Sequence, residues 1–430
     1  MIMCYNVIEV MKMDRTKELL KEHTEKIYKY AIGECMPNRS VEKALKDLEM
    51  PKGRLIAVSI GKAGWEMANT AYSILGEKIH KGIVITKYEH SKGKIGDFEI
   101  YEASHPVVDC EGVRATKRVL EITSDLSCDD TVLFLVSGGG SALFEDVSCP
   151  LEKMQDLTRE LLRCGADINE INAIRKHISN VKGGKFAKHV YPAKVFAVAL
   201  SDVIGNDLST IASGPATQDT TTVQDCLDIL EKYKISPDSE VLELISRETP
   251  KEITNAHHIV SGSVTELCKY CEEMAASLGY HAQVIDDGVC QKAHRMANAF
   301  GMMARSDYKT KIPLAYIFGG EVTVLVKGNG KGGRNQELAL LSAREIEGLY
   351  NVAVFCVGSD GTDGPTEMAG GYVDGGSWRE IFDKGVNPEK SLENNDAYNA
   401  LKVCGGLVYT GPTGTNVNDM YVMLIQPIKR

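Results

Sequence analysis

Nothing in this 430-residue sequence is long and apolar enough to span a bilayer. The longest apolar runs, such as Thr131 to Val136 and Lys194 to Leu200, have the length of a strand. Residues 1–20 lack the apolar core and small-residue cleavage site of a secretion signal, so the expected location is cytoplasmic. Positive charge is not in excess. The formal net charge of −10 argues against a nucleic-acid or anionic-membrane partner, while leaving room for a local basic pocket. The twelve cysteines are scattered, and Cys268-x-x-Cys271 has no second pair to complete a metal site, so reduced thiols are expected. No G-x-x-x-x-G-K-S/T phosphate loop, internal repeat or low-complexity segment occurs. What remains, 43% apolar and 25% charged, is the composition of an ordinary globular protein.

At this length two domains are expected, since single cores stop growing at about 250–300 residues. The first fifty residues are helical in pattern, with Leu19, Leu20, Ile27 and Ala31 at helical spacing and Pro37 closing the segment. Strands are expected at Arg54–Ile60, Lys81–Thr86, Phe98–Ala103, Thr131–Val136 and Val195–Leu200. Helical stretches at Ala63–Leu75, Glu111–Thr123, Leu151–Arg163 and Asn169–Ser179 separate them. Apolar strands alternating with helices imply a parallel sheet covered on both faces. Helical Val223–Arg247 and the breakers Thr249-Pro250 then lead to a second α/β set. Its expected strands are Ile259–Gly262, Gln283–Ile285, Leu314–Phe318, Val322–Val326, Val352–Val357, Leu407–Thr410 and Tyr421–Ile425. Its helices are Val264–Ser277, Gln291–Arg305 and Asn335–Ile346. The expected architecture is α/β, with domains at residues 1–245 and 246–430 and a cleft between them.

Several glycine-rich turns follow these strands. In Gly358-Ser-Asp360-Gly-Thr-Asp363-Gly-Pro365 the two aspartates, three apart in a turn, can converge on one cation. Ser137-Gly138-Gly139-Gly140-Ser141 can crowd backbone amides around an anion, or serve as a tight turn. Lys62, in Gly61-Lys-Ala-Gly64, stands at a positive helix start, an unfavourable place for a cation unless an anion is present. Asp202 and Asp207, in Ser201-Asp-Val-Ile-Gly-Asn206-Asp207, can hold Mg²⁺, or Asp202 can take a hydroxyl proton; capping turns is the other role such residues have. Gly328-x-Gly330-x-x-Gly333 formally matches a dinucleotide fingerprint, but Lys331 interrupts it, and a lid over phosphate suits it as well. Arg334 offers a planar fork for a phosphoryl group or carboxylate, or else a local ion pair with Glu337. Glu321 is a candidate metal carboxylate, and His105 a candidate substrate or adenine contact.

In this order, from about residue 60 to 420, these segments resemble the class II glycerate kinases, ATP-dependent glycerate 2-kinases whose C-terminal half is a MOFRL domain. The matching pieces are Gly61-Lys62, Ser104-His105-Pro106, Ser137 to Leu143, Ser201-Asp202-Val203, Ala212-Ser213-Gly214-Pro215, Gly319-Gly320-Glu321, Gly333 to Glu337, Ser359 to Gly364 and Gly411 to Asp419. The resemblance implies a Rossmann-like first domain and a smaller α/β second domain, with glycerate, ATP and Mg²⁺ as ligands. It implies that Lys62 and Arg334 are active-site residues, with Asp202 or Asp360 as base or metal residue. Ser137, Gly138, Gly139, Gly140, Ser141, His105, Asn206, Asn335 and Glu337 would bind substrate or ATP, and Asp207, Glu321 and Asp363 the metal. The partners it implies are small molecules, and the assembly it allows is a homodimer.

Overall fold

Six strands make one sheet: β1 (Leu55–Ile60), β2 (Ile79–Lys87), β3 (Glu99–Ala103), β4 (Thr131–Val136), β5 (Lys194–Ala199) and β6 (Ala256–Val260). They pair in the order β3-β2-β1-β4-β5-β6, every pair parallel. β1 and β4 are buried along their whole length, as strands covered on both faces must be. Side chains alternate across the sheet: Ile56, Val58, Val132 and Phe134 enter one core, and Ala57, Leu133, Phe196 and Val198 the other. The chain lays strands to one side of β1, then crosses to the other. That strand order is the doubly wound one, and its reversal between β1 and β4 marks where such sheets bind ligands.

This computed structural model describes residues 2–201, 205 and 207–428, in two units: residues 37–261, and residues 1–36 with 262–430. The second unit holds β7 (His281–Val289), β8 (Leu314–Gly320), β9 (Val352–Gly358), β10 (Gly370–Asp374), β11 (Leu407–Val408) and β12 (Asp419–Ile425). Their order is β11-β10-β9-β12-β8-β7; β7 and β8 are parallel and the other neighbours antiparallel. Helices Ala293–Asp307 and Arg334–Glu345 supply side chains to the core on one face, and Val264–Ser277 to the core on the other. No described helix is long and apolar enough to cross a membrane.

The units do not divide at 245/246. The segment expected to open the second set is β6, whose backbone pairs with β5 from Val195↔Ala256 to Ala199↔Val260 and so belongs to the first sheet. The first helix, Ile2–Glu34, belongs to the second unit, where Leu20, Ile27, Ala31 and Ile32 share a core with Leu267, Phe355 and Val422. Val322–Val326 is no strand. Leu325 and Val326 are 68% and 71% exposed, and the segment keeps only an isolated bridge at Thr323. Ile27→Ala is expected to destabilise by about 2–5 kcal/mol, the cost of a buried large-to-small change. Hydrogen exchange should then accelerate in β8, β9 and β12 and not in β1, β4 and β5. Accelerated exchange in the first sheet alone would contradict this placement of the helix.

Candidate functional site

In the first unit the site grows from the aligned ends of β1 and β4, where Ile60 stands opposite Val136. Both chains must turn at once, and they lock together. The Ser137 hydroxyl donates to the Ile60 carbonyl (3.2 Å) and accepts from the Ala63 amide (3.1 Å), while the Lys62 amide donates to the Gly138 carbonyl (2.9 Å). Gly61 has φ of 111°, and a Cβ there would fall 2.2 Å from the Ser137 hydroxyl, so no larger residue fits. The amides of Gly138 and Gly139 meet no acceptor among the described residues.

Lys62 and His105 flank Gly139. A Cβ on that glycine would lie 3.1 Å from the His105 ring and 3.3 Å from Cγ of Lys62. Lys62 is exposed, just before the helix Gly64–Leu75, whose start carries no side-chain cap. Burial, then the charges of Lys62 and Lys87, push the His105 pKa below the usual histidine value, so the ring is neutral at pH 7. The arrangement is an open, basic, amide-rich turn that suits an anion.

The neighbouring Ser201–Pro215 segment gives less. Asp202 and Asn206 lie outside the described residues. Asp207 is exposed and accepts from the Ser209 amide (2.9 Å) and hydroxyl (3.0 Å), the capping role weighed for it. Ser213 bonds to Ser141 across the two loops, hydroxyl to hydroxyl at 3.0 Å.

In the second unit Arg334 opens the helix Arg334–Glu345. Its Nε donates to Asp419 Oδ2 (2.6 Å), its Nη2 to Asp419 Oδ1 (3.3 Å), and its Nη1 to Glu321. Glu337, the alternative partner the sequence offers, instead accepts from Asn395 (2.8 Å). Asp419 is buried where it opens β12, and it also takes bonds from Asn335 and from the Tyr421 hydroxyl (3.2 Å). Three of the five guanidinium N–H groups are thereby engaged, and the other two meet no acceptor among the described residues.

Asp363 does not stand open as a metal ligand. Its two oxygens accept from the Asn335 (3.1 Å) and Gln336 (2.8 Å) amides, so it caps the helix that Gly333 begins without a side chain. Burial pushes its pKa up to about 7, against the pull of those two amides. Asp360 is half-buried; its Oδ1 accepts from the Thr362 amide (2.9 Å) and hydroxyl (3.1 Å). Among the described residues no group of three or more His, Cys, Asp or Glu is placed to hold a metal ion.

The Gly328–Gly333 loop is not shaped for a pyrophosphate. The amides of Lys327 and Gly328 donate to the Asn395 side chain, that of Asn329 to the Asn394 side chain, that of Gly330 to the Asn394 carbonyl and that of Lys331 to Asp396. A Cβ on Gly328 would lie 2.3 Å from the Asn394 carbonyl oxygen. Its glycines serve that close packing, which removes the structural basis of a dinucleotide reading.

The sequence reading missed Asp419 as the partner of Arg334, 85 residues away; an acid opening an apolar strand was the available signal. It also missed Asn172, Arg175 and Lys182 beneath the first loop, whose signal was the density of basic residues between Arg175 and Lys185.

A domain of unknown function, DUF4147, matches residues 23–246, and the MOFRL family matches residues 314–419. The D-glycerate 2-kinase of Thermotoga maritima is 48% identical, covering 95% of this chain and 99% of that protein. A crystal structure of glycerate kinase from the same organism superposes with a TM-score of 0.91 at 47% identity, covering 95% of this chain and all of that one. The glycerate 2-kinase of Pyrococcus horikoshii is 37% identical over 88% of this chain and 89% of its own. A protein of Agrobacterium vitis, provisionally named a hydroxypyruvate reductase, is 35% identical over 93% of each chain.

Two outcomes are expected from this geometry. In the free protein the His105 ring should titrate below about 6.5, and Lys62→Met should move that titration upward by removing a neighbouring cation. Histidine-selective NMR reads both, and an unmoved titration would place Lys62 elsewhere. Arg334→Met should cost about 3 kcal/mol in denaturant unfolding, because it leaves Asp419 buried without its cation; an unchanged midpoint would show that the pair holds nothing.

Proposed function

Since the chain belongs to the glycerate kinase family with a MOFRL domain, we propose that it transfers the γ-phosphoryl group of ATP to the 2-hydroxyl of D-glycerate, giving 2-phosphoglycerate and ADP. The observation that carries this reading is the turn where β1 and β4 end. Lys62, the two unengaged amides and neutral His105 together form a cradle for a phosphate or carboxylate there.

Phosphoryl transfer asks the protein mainly for position and compensating charge. Lys62 supplies a point charge at the helix start, and the Gly138 and Gly139 amides fix the anion's orientation. Arg334 supplies its two remaining N–H groups, held in plane by Asp419 and Glu321. The base that receives the substrate hydroxyl proton is assigned to Asp202 or Asp360. Asp363 is assigned to holding the Arg334 helix, with Asn335 and Glu337 supporting it.

Mg²⁺ fits this donor set, because it is held by one or two carboxylates with phosphate oxygens and needs no all-protein cage. Asp360, with Oδ2 clear of hydrogen bonds among the described residues, is the carboxylate assigned to it where Asp202 serves as the base; Asp207, whose two oxygens both accept from Ser209, is not. When bound it neutralises charge on the β- and γ-phosphate oxygens. We assign the enzyme to the cytoplasm and its partners to small molecules.

The test is ³¹P NMR of the product formed from D-glycerate, ATP and Mg²⁺, which reports activity and the position of the phosphate together. A 3-phosphate, or no ADP, would overturn the reading. Arg334→Lys keeps a cation against Asp419 yet loses the fork, so kcat is expected to fall about 100-fold or more while the fold is retained. Near-normal turnover in that variant would remove Arg334 from the chemistry.

A further inference from the structure

Two side chains on one face of the helix Ile168–Ile178 hold the two loops that meet at Ser141 and Ser213. Arg175 Nη2 donates to the Ser141 carbonyl (2.8 Å), and Asn172 Oδ1 accepts from the Ser213 hydroxyl (3.2 Å). Ala212 and Ser213 hold left-handed backbone, with φ of 51° and 60°, a conformation that non-glycine residues keep only where their surroundings impose it. The amides of Gly183 and Gly184 help impose it by donating to the Ser213 and Gly214 carbonyls.

Behind Arg175 lies a set of charges, most of them buried. Glu145, fully buried, accepts from the Ser179 hydroxyl (2.5 Å) and stands 3.3 Å from Lys182 Nζ and 3.7 Å from Arg175. Lys182, also fully buried, donates to the Phe144 carbonyl (2.7 Å). Lys185 donates to the carbonyls of Lys176, His177 and Ser179, and Lys176 pairs with Asp219 at 3.1 Å. Four cations thus face two carboxylates. Of the four, Arg175 is the one that reaches the carbonyl of the glycine loop.

We propose that Arg175, aided by Asn172, is a positioning residue of the transfer reaction: it fixes the Ser137–Ser141 loop through the Ser141 carbonyl and so sets the amides that hold the anion. The proposal rests on the phosphoryl-transfer reading of that loop. Removing Arg175 orphans no carboxylate, because Glu145 keeps Lys182 and Ser179.

The test compares full-length wild type with Arg175→Ala and Arg175→Lys by hydrogen–deuterium exchange, thermal unfolding and kinetics with D-glycerate and ATP–Mg²⁺. In Arg175→Ala the amides of residues 140–144 are expected to exchange faster and kcat to fall about 100-fold, the scale of a misplaced reacting group. Arg175→Lys should recover part of both, since its ammonium can still donate to Ser141. Full kcat or unchanged exchange in folded Arg175→Ala overturns the proposal. If that variant does not fold, Asn172→Ala carries the test with an expected kcat loss of about tenfold, and full activity there overturns it. If wild type phosphorylates no glycerate, the transfer reading falls by itself. Exchange across residues 140–144 then still decides whether Arg175 positions the loop.

Discussion

Parallel pairing of β1 with β4 brings Ile60 beside Val136, and two loops must leave the sheet at the same height. Everything in the first unit's site follows from that constraint. The loops have no room to pass without sharing hydrogen bonds, so one hydroxyl, Ser137, serves both. Glycine at 61 and 139 lets the backbones approach closely enough for Lys62 and His105 to face the same small volume. The basic turn is a consequence of register before it is a consequence of residue choice.

Each unit places a cation at the start of a helix, where the backbone's own partial charge opposes it. The two units resolve this differently. Arg334 is answered by Asp419 and Glu321, and its helix by the capping Asp363, so that corner is electrostatically closed apart from two N–H groups. Lys62 has no carboxylate beside it among the described residues, and the helix behind it lacks a side-chain cap. The first corner therefore favours an incoming anion more strongly than the second, which is already organised.

Much of the fold was legible because it rests on local pattern. Helices Leu151–Arg163 and Val264–Ser277 begin and end where the sequence places them, and β4 is the six-residue apolar run it was read as. Long-range pairing was illegible. Whether Ala256–Val260 joins the sheet before it or after it depends on which edge is free, and no short window records that. β10, beginning Gly370-Gly371, has too little β-propensity to be seen; it exists because β9 lacked a partner on that side. The same division holds for the site. Lys62 and the Ser137–Ser141 turn were visible as strand exits. Arg175, Lys182 and Asp419 look like surface charges in sequence and acquire their roles only through partners far along the chain. Asp202 and Asn206 remain readings from sequence.

The unit of residues 37–261 is inserted into the other, between its first helix and residue 262. During synthesis the inserted unit is complete before most of its host has left the ribosome. Leu20, Ile27 and Ala31 must meanwhile wait, their apolar stripe uncovered, for partners near Leu267, Phe355 and Val422. A chain laid out this way exposes that apolar stripe for much of its translation, when uncovered apolar surface is most prone to aggregate.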